Sequence, residues 1–156
     1  PHWQRPAARL FLGIDHTAIV VAHDARSLEF YADAVGMHVV GGSENHGVEQ
    51  EHLNNVFGAR LRITTLRAPV GPGVELLEYL APSDGRPAPA DSRACDLWHW
   101  HTRLIVRDPG DAADAIRSAG GAWVSPGAVS GSALVRDPDG HAVMLIASPV
   151  GAERGR

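Results

Sequence analysis

The chain has no lysine and one cysteine, so several kinds of chemistry are excluded at the outset. Without lysine there is no Schiff-base amine and no P-loop cation. With Cys95 alone there is no intrachain disulfide and no multi-cysteine metal site. Cys95 itself reads as a buried or linker residue. No apolar run approaches the roughly 18 to 20 residues that span a bilayer, so no membrane association is expected. The N-terminal stretch PHWQRPAARLFLGID carries two arginines but no apolar core of signal-peptide length, which reads as a cytoplasmic protein. The basic residues are arginines scattered along a chain of net charge -4, a poor footprint for nucleic acid.

What is present is a repeat. DHTAIVV near the N-terminus and WHWHTRLIV, residues 98–106, share a His-Thr pair followed by a strand-like apolar run. In the first copy, IDHTAIVVAH reads as a strand. Asp24 is a candidate N-cap for the helix ARSLEFYADAVGM, with Leu28, Tyr31 and Val35 on one face and Gly36 at its end. HVVGG, ARLRITTLRA and VELLEYL are three further strand candidates.

In the second copy the helix lies in DPGDAADAIRSAGG, with Asp108 as cap, Pro109 in the first turn and Gly120 at the end. AWVSP, SALVRD and HAVMLIA follow as strands, the last two joined by a DPDG turn. Both copies therefore run strand, helix, strand, strand, strand. The expected boundaries are about 12–81 for unit one, 82–96 for a Pro/Ala/Ser-rich linker and 97–148 for unit two, within a single domain covering 1–156.

Superposing the copies sets His16 against His101 and Glu75 against Met144. These landmarks are 59 positions apart in the first unit and 43 in the second, and most of the excess falls in GGSENHGVEQEHLNNVFGA. Residues 41–58 are accordingly expected to form a long polar loop shaping access to a cavity, with His46, Glu49, Glu51 and His52 exposed on it. Alternation along VELLEY puts Glu75, Leu77 and Tyr79 on one strand face and Leu76 and Glu78 on the other, with Glu78 a solvated or interface charge. His99 is expected to share a strand face with His101, between Trp98 and Trp100.

The tandem units, DHTAIVV, SLEFYADAVGM, VELLEY and VRDPDGHAVML, in this order and spacing, resemble the vicinal oxygen chelate superfamily of glyoxalases, bleomycin-resistance proteins and extradiol dioxygenases. The resemblance covers about residues 12–148. It implies an α+β fold in which two βαβββ units form a cupped, barrel-like mixed sheet with helices outside. One chain carries both units, so a monomer could complete the cavity, and pairing as a homodimer is also open.

The resemblance further implies one divalent metal ion (Fe, Zn, Ni, Co or Mn) held by His16, Glu75 and His101, with Glu75 also available as the base. Met144 stands where the family's enzymes usually place a glutamate, and its thioether is a weak donor for such ions. His99, Trp98, Trp100, Tyr79 and Met144 are candidates for the surroundings of the metal or for the substrate pocket. The activity implied is lyase- or isomerase-type proton transfer on a small oxygen-bearing molecule bound to metal. A non-haem iron extradiol-type dioxygenase and a metal-free, bleomycin-resistance-like binding protein are the alternatives.

Overall fold

The structure is a computed structural model, described here for residues 13–125 and 127–148. Most of the N-terminal stretch read above for a leader lies outside the described residues. Unit one begins with strand β1 (His16–Val21), whose alternation buries Ile19 and Val21 and leaves His16, Ala18 and Val20 exposed. Helix α1 (Asp24–Leu28) follows and widens into a π-helical segment, Glu29–Ala34. The widening lets neighbouring Phe30 and Tyr31 both turn inward, where they are fully buried with their rings 4.8 Å apart, edge to face. Asp24 is not the cap: His23 occupies that position without a side-chain hydrogen bond, and Asp24 lies buried in the first turn. Gly36, at φ 84°, ends the helix as expected.

Strand β2 (His38–His46), helix α2 (Val48–Asn54), β3 (Arg60–Arg67) and β4 (Gly73–Ala81) complete the unit. The expected loop over 41–58 is therefore mostly regular structure. Gly41–His46 extend β2 in antiparallel register with β3, closed by Arg60 on Glu44 at 2.6 Å, and 48–54 form a short helix. The strand candidate HVVGG stops short of the polar residues 43–46, whose place in the strand comes from pairing with β3 and not from their own propensity. His46, Glu49 and His52 are exposed, as expected, and Glu51 is half-buried.

Unit two contains β5 (His101–Val106), α3 (Pro109–Ser118), β6 (Ala122–Trp123), β7 (Ser132–Arg136) and β8 (Ala142–Ala147). The Asp108 carboxylate accepts from Gly110 and Asp111 backbone N–H and caps α3, with Pro109 in its first turn. Strand β5 starts at His101, so His99 is not on it. Residues 93–99 are taken up by turns in which Asp96 accepts from Arg93 N and His99 N.

The sheets have the orders β1-β4-β3-β2 and β5-β8-β7-β6, the same topology twice, and they are not closed into a barrel. In each, the first strand runs parallel to the last. The buried core draws Ile19, Phe30, Tyr31 and Leu76 from unit one together with Ile116, Val135, Val143 and Leu145 from unit two. Burial on that side leaves the opposite face of each sheet to carry the polar candidates.

Candidate functional site

Parallel pairing of β1 with β4 sets Ala18 opposite Glu75, and pairing of β5 with β8 sets Arg103 opposite Met144. Glu75 and Met144 therefore occupy equivalent positions, each facing the second residue after the histidine of its unit. On the open face of unit one, His16 Nε2 lies 3.3 Å from Glu75 Oε2, and both side chains are partly exposed. The other histidine nitrogen, Nδ1, is 2.9 Å from Asp15 Oδ2.

Arg67 donates to both Asp15 Oδ2 and the Asp15 carbonyl, each at 2.8 Å. The hydrogen bond from His16, then that from Arg67, hold the Asp15 carboxyl below its ordinary range. Thr65, opposite Glu75 on β3, donates to Glu75 Oε1 at 3.2 Å and leaves Oε2 for His16.

This geometry has a chemical consequence. An ionised Asp15 accepts only, so His16 Nδ1 is the donor and Nε2 presents a lone pair to the Glu75 carboxylate. The 3.3 Å between Nε2 and Oε2 is a distance that a shared proton or a metal ion could bridge. A carboxylate on the outer nitrogen of a histidine is also the usual support for a metal-binding ring. Asp15 stands immediately before His16 in the repeated phrase, where that adjacency was the available signal for it. Thr65 and Arg67 had none, being brought in by β3.

His101 begins β5 on the other sheet, exposed, with its ring 6.0 Å from that of His99. Trp100 stands where unit one has Asp15, so no carboxylate precedes this histidine. Among the described residues no three His, Cys, Asp or Glu side chains converge so as to hold a metal ion. The structure thus brings His16 and Glu75 together and leaves His101 apart. Tyr79 is half-buried on the Glu75 face of β4, opposite Leu61, and Met144 is half-buried on β8. Glu78 is half-buried on the other face, its carboxylate held by the exposed Arg62 at 2.5 Å, with His23 3.9 Å away.

Trp98, His99 and Trp100 line a separate pocket between the linker and unit two. His141, unremarkable in the sequence beside its turn, lies there too, with Nδ1 2.9 Å from the buried Asp137.

The fold is shared with solved structures at low identity. A glyoxalase family protein from Bacillus cereus matches with a TM-score of 0.74 at 19% identity, over 92% of this chain and 98% of its own. The trypanothione-dependent glyoxalase I of Leishmania major matches with a TM-score of 0.66 at 20% identity, over 92% of each chain. Glyoxalase I from Zea mays matches with a TM-score of 0.55 at 23% identity, over 85% of this chain and 43% of its own. No curated protein matches the chain by sequence. The family described as Glyoxalase/Bleomycin resistance protein/Dioxygenase superfamily matches residues 13–145, and the chain belongs to it.

Proposed function

We propose that the protein is a metal-dependent enzyme of lyase or isomerase type that moves a proton at carbon in a small oxygen-bearing substrate. The observation that carries this reading is the pair His16 Nε2 and Glu75 Oε2, 3.3 Å apart on an open sheet face, with Asp15 behind the histidine. These two donors fit a divalent ion, with His101 as the third. When bound, such an ion supplies Lewis-acid polarisation of a substrate oxygen.

Asp15 and Arg67 fix the plane and tautomer of His16. Thr65 holds Oε1 of Glu75, so that Oε2 is the oxygen that ligates or takes a proton from carbon. Leu77 and Tyr79, on the same strand face, supply the apolar surface beside it. Because His101 does not join His16 and Glu75 within the chain, it enters from a second copy. The exposed Val20 on β1 and Ile105 on β5, on the same faces as the histidines, are the apolar surface that such pairing covers.

The test is divalent-ion content and affinity of wild type, His16→Ala, Glu75→Gln and His101→Ala, by elemental analysis and calorimetry. One ion per chain is expected in wild type, with large losses in each variant. Met144→Glu adds a carboxylate at the position equivalent to Glu75 and should tighten binding. Refolding His16→Ala together with His101→Ala should restore about a quarter of the wild-type sites, since half the random dimers are mixed and each holds one intact site of two. No restoration would place the whole site within one chain. A wild type that takes up no metal favours the second reading, a metal-free small-molecule binding protein, which the separation of His101 from the other two ligands supports.

A further inference from the structure

The pocket between the linker and unit two shares no lining residue with His16, Glu75, His101 or Met144. Its volume of about 640 Å³ suits a small molecule. Among the described residues the lining holds two arginines, two tryptophans and two histidines and no carboxylate, in a chain whose net charge is -4. Arg136 is committed to structure: it donates to Gly140 O at 2.6 Å and Ser92 O at 3.1 Å, fastening the linker to β7. Arg86, on the linker side, is exposed and has no ion-pair or hydrogen-bond partner among the described residues.

Trp98 and Trp100 are 62% and 42% exposed, large ring surfaces left without a cover. Trp98 Nε1 is anchored on Ser92 Oγ at 3.3 Å, and the Trp100 ring lies 5.7 Å from that of His141.

His141 is held more firmly than a surface histidine. The buried Asp137 accepts from Tyr31 OH at 2.9 Å and from the backbone N–H of Asp139 and His141 at 3.0 and 2.8 Å. A carboxylate with that many donors acts only as acceptor, so His141 Nδ1 carries the hydrogen of their 2.9 Å contact. In the neutral ring Nε2 is then the acceptor nitrogen of a side chain that lines the pocket.

We propose that this pocket binds a planar aromatic carboxylate that carries a hydrogen-bond donor on its ring system. The carboxylate pairs with Arg86, the ring lies against Trp98 and Trp100, and the O–H or N–H of the ligand donates to His141 Nε2. Arginine matches a carboxylate bidentately, and indoles supply flat apolar surface at little entropic cost.

Calorimetry on the full chain with 6-hydroxy-2-naphthoate, 2-naphthoate and 2-naphthol separates these parts. The hydroxy acid is expected to bind most tightly, with 2-naphthol at least about tenfold weaker for want of the charged contact. Arg86→Gln, at an exposed position, should weaken both carboxylates by about tenfold and leave 2-naphthol unchanged. His141→Phe should erase the advantage of the hydroxy acid over 2-naphthoate, about two- to tenfold, while 2-naphthoate still binds. Glu75→Gln should leave affinity for the hydroxy acid within about twofold, since that site shares no residue with the pocket. Undetectable binding of both carboxylates, equal affinity for 2-naphthol, or indifference to Arg86→Gln would overturn the proposal. Loss of binding in Glu75→Gln would do so too, by placing the probe at the other site, and none of these outcomes bears on metal content.

Discussion

Single residues carry most of the chemistry through their neighbours. Tyr31 is the clearest case, because its hydroxyl is fully buried and donates to Asp137. Burial, then the nearby Asp137 charge, push the phenol well above its ordinary value of 10.0. A group raised in the folded state gives stability that is complete below its unfolded value and is lost as pH climbs past it. Urea unfolding of wild type between pH 7 and 11 should therefore show stability falling above about pH 10. Tyr31→Phe should cost about 1.5–3 kcal/mol at pH 7, the range for a hydrogen bond to a charged acceptor, and should flatten the alkaline fall. At this scale the sequence was informative where symmetry helped. His16 and His101 were singled out because the phrase repeats, and the alignment that set Glu75 against Met144 matches their registers, opposite Ala18 and Arg103. Thr65, Arg67 and Asp137 were not found, since each acts on a residue far away in the chain.

Elements follow from local pattern where propensity and packing agree. Helix α3 has its cap, its proline and its terminal glycine where the sequence puts them. The β2 extension and α2 do not, because glycines and polar residues there take their conformation from β3 and from Gly47 and Asn55, at φ 93° and 53°. Gly121, just after α3, sits where elements approach closely. A Cβ there would lie 2.6 Å from Ile116 Cγ2, 2.8 Å from the Arg136 carbonyl and 3.0 Å from Phe30 Cε2, a contact across both units. Gly121→Ala should thus destabilise by about 1–3 kcal/mol. Gly41→Ala, with nothing within 4 Å of the new atom, should stay within about 0.5 kcal/mol. Thermal melts of the two variants check the contrast.

The two units are joined by shared interior more than by their linker. Phe30 and Tyr31 sit in one core cluster with Ile116 and Val135. The Asp139 carboxylate of unit two also accepts from Ala22 N at 3.1 Å and Ser27 Oγ at 3.5 Å. Near- and far-ultraviolet dichroism should therefore report one coincident unfolding transition. Asp139→Ala should lower its midpoint without splitting it, whereas separate transitions would show units that fold independently.

The sequence by itself determined the duplicated βαβββ order, the alternation that separates Glu75, Leu77 and Tyr79 from Leu76 and Glu78 along β4, and the equivalence of His16 with His101 and of Glu75 with Met144. These rest on periods of two and 3.6 residues and on an internal repeat, all of which are local or self-referential. Only the tertiary structure decided that His16 meets Glu75 while His101 stays on the other sheet, and that the linker closes a cationic, aromatic pocket over β7 and β8. The distances between separate sheets are set by how the helices and core side chains pack, and no periodicity along the chain records that packing.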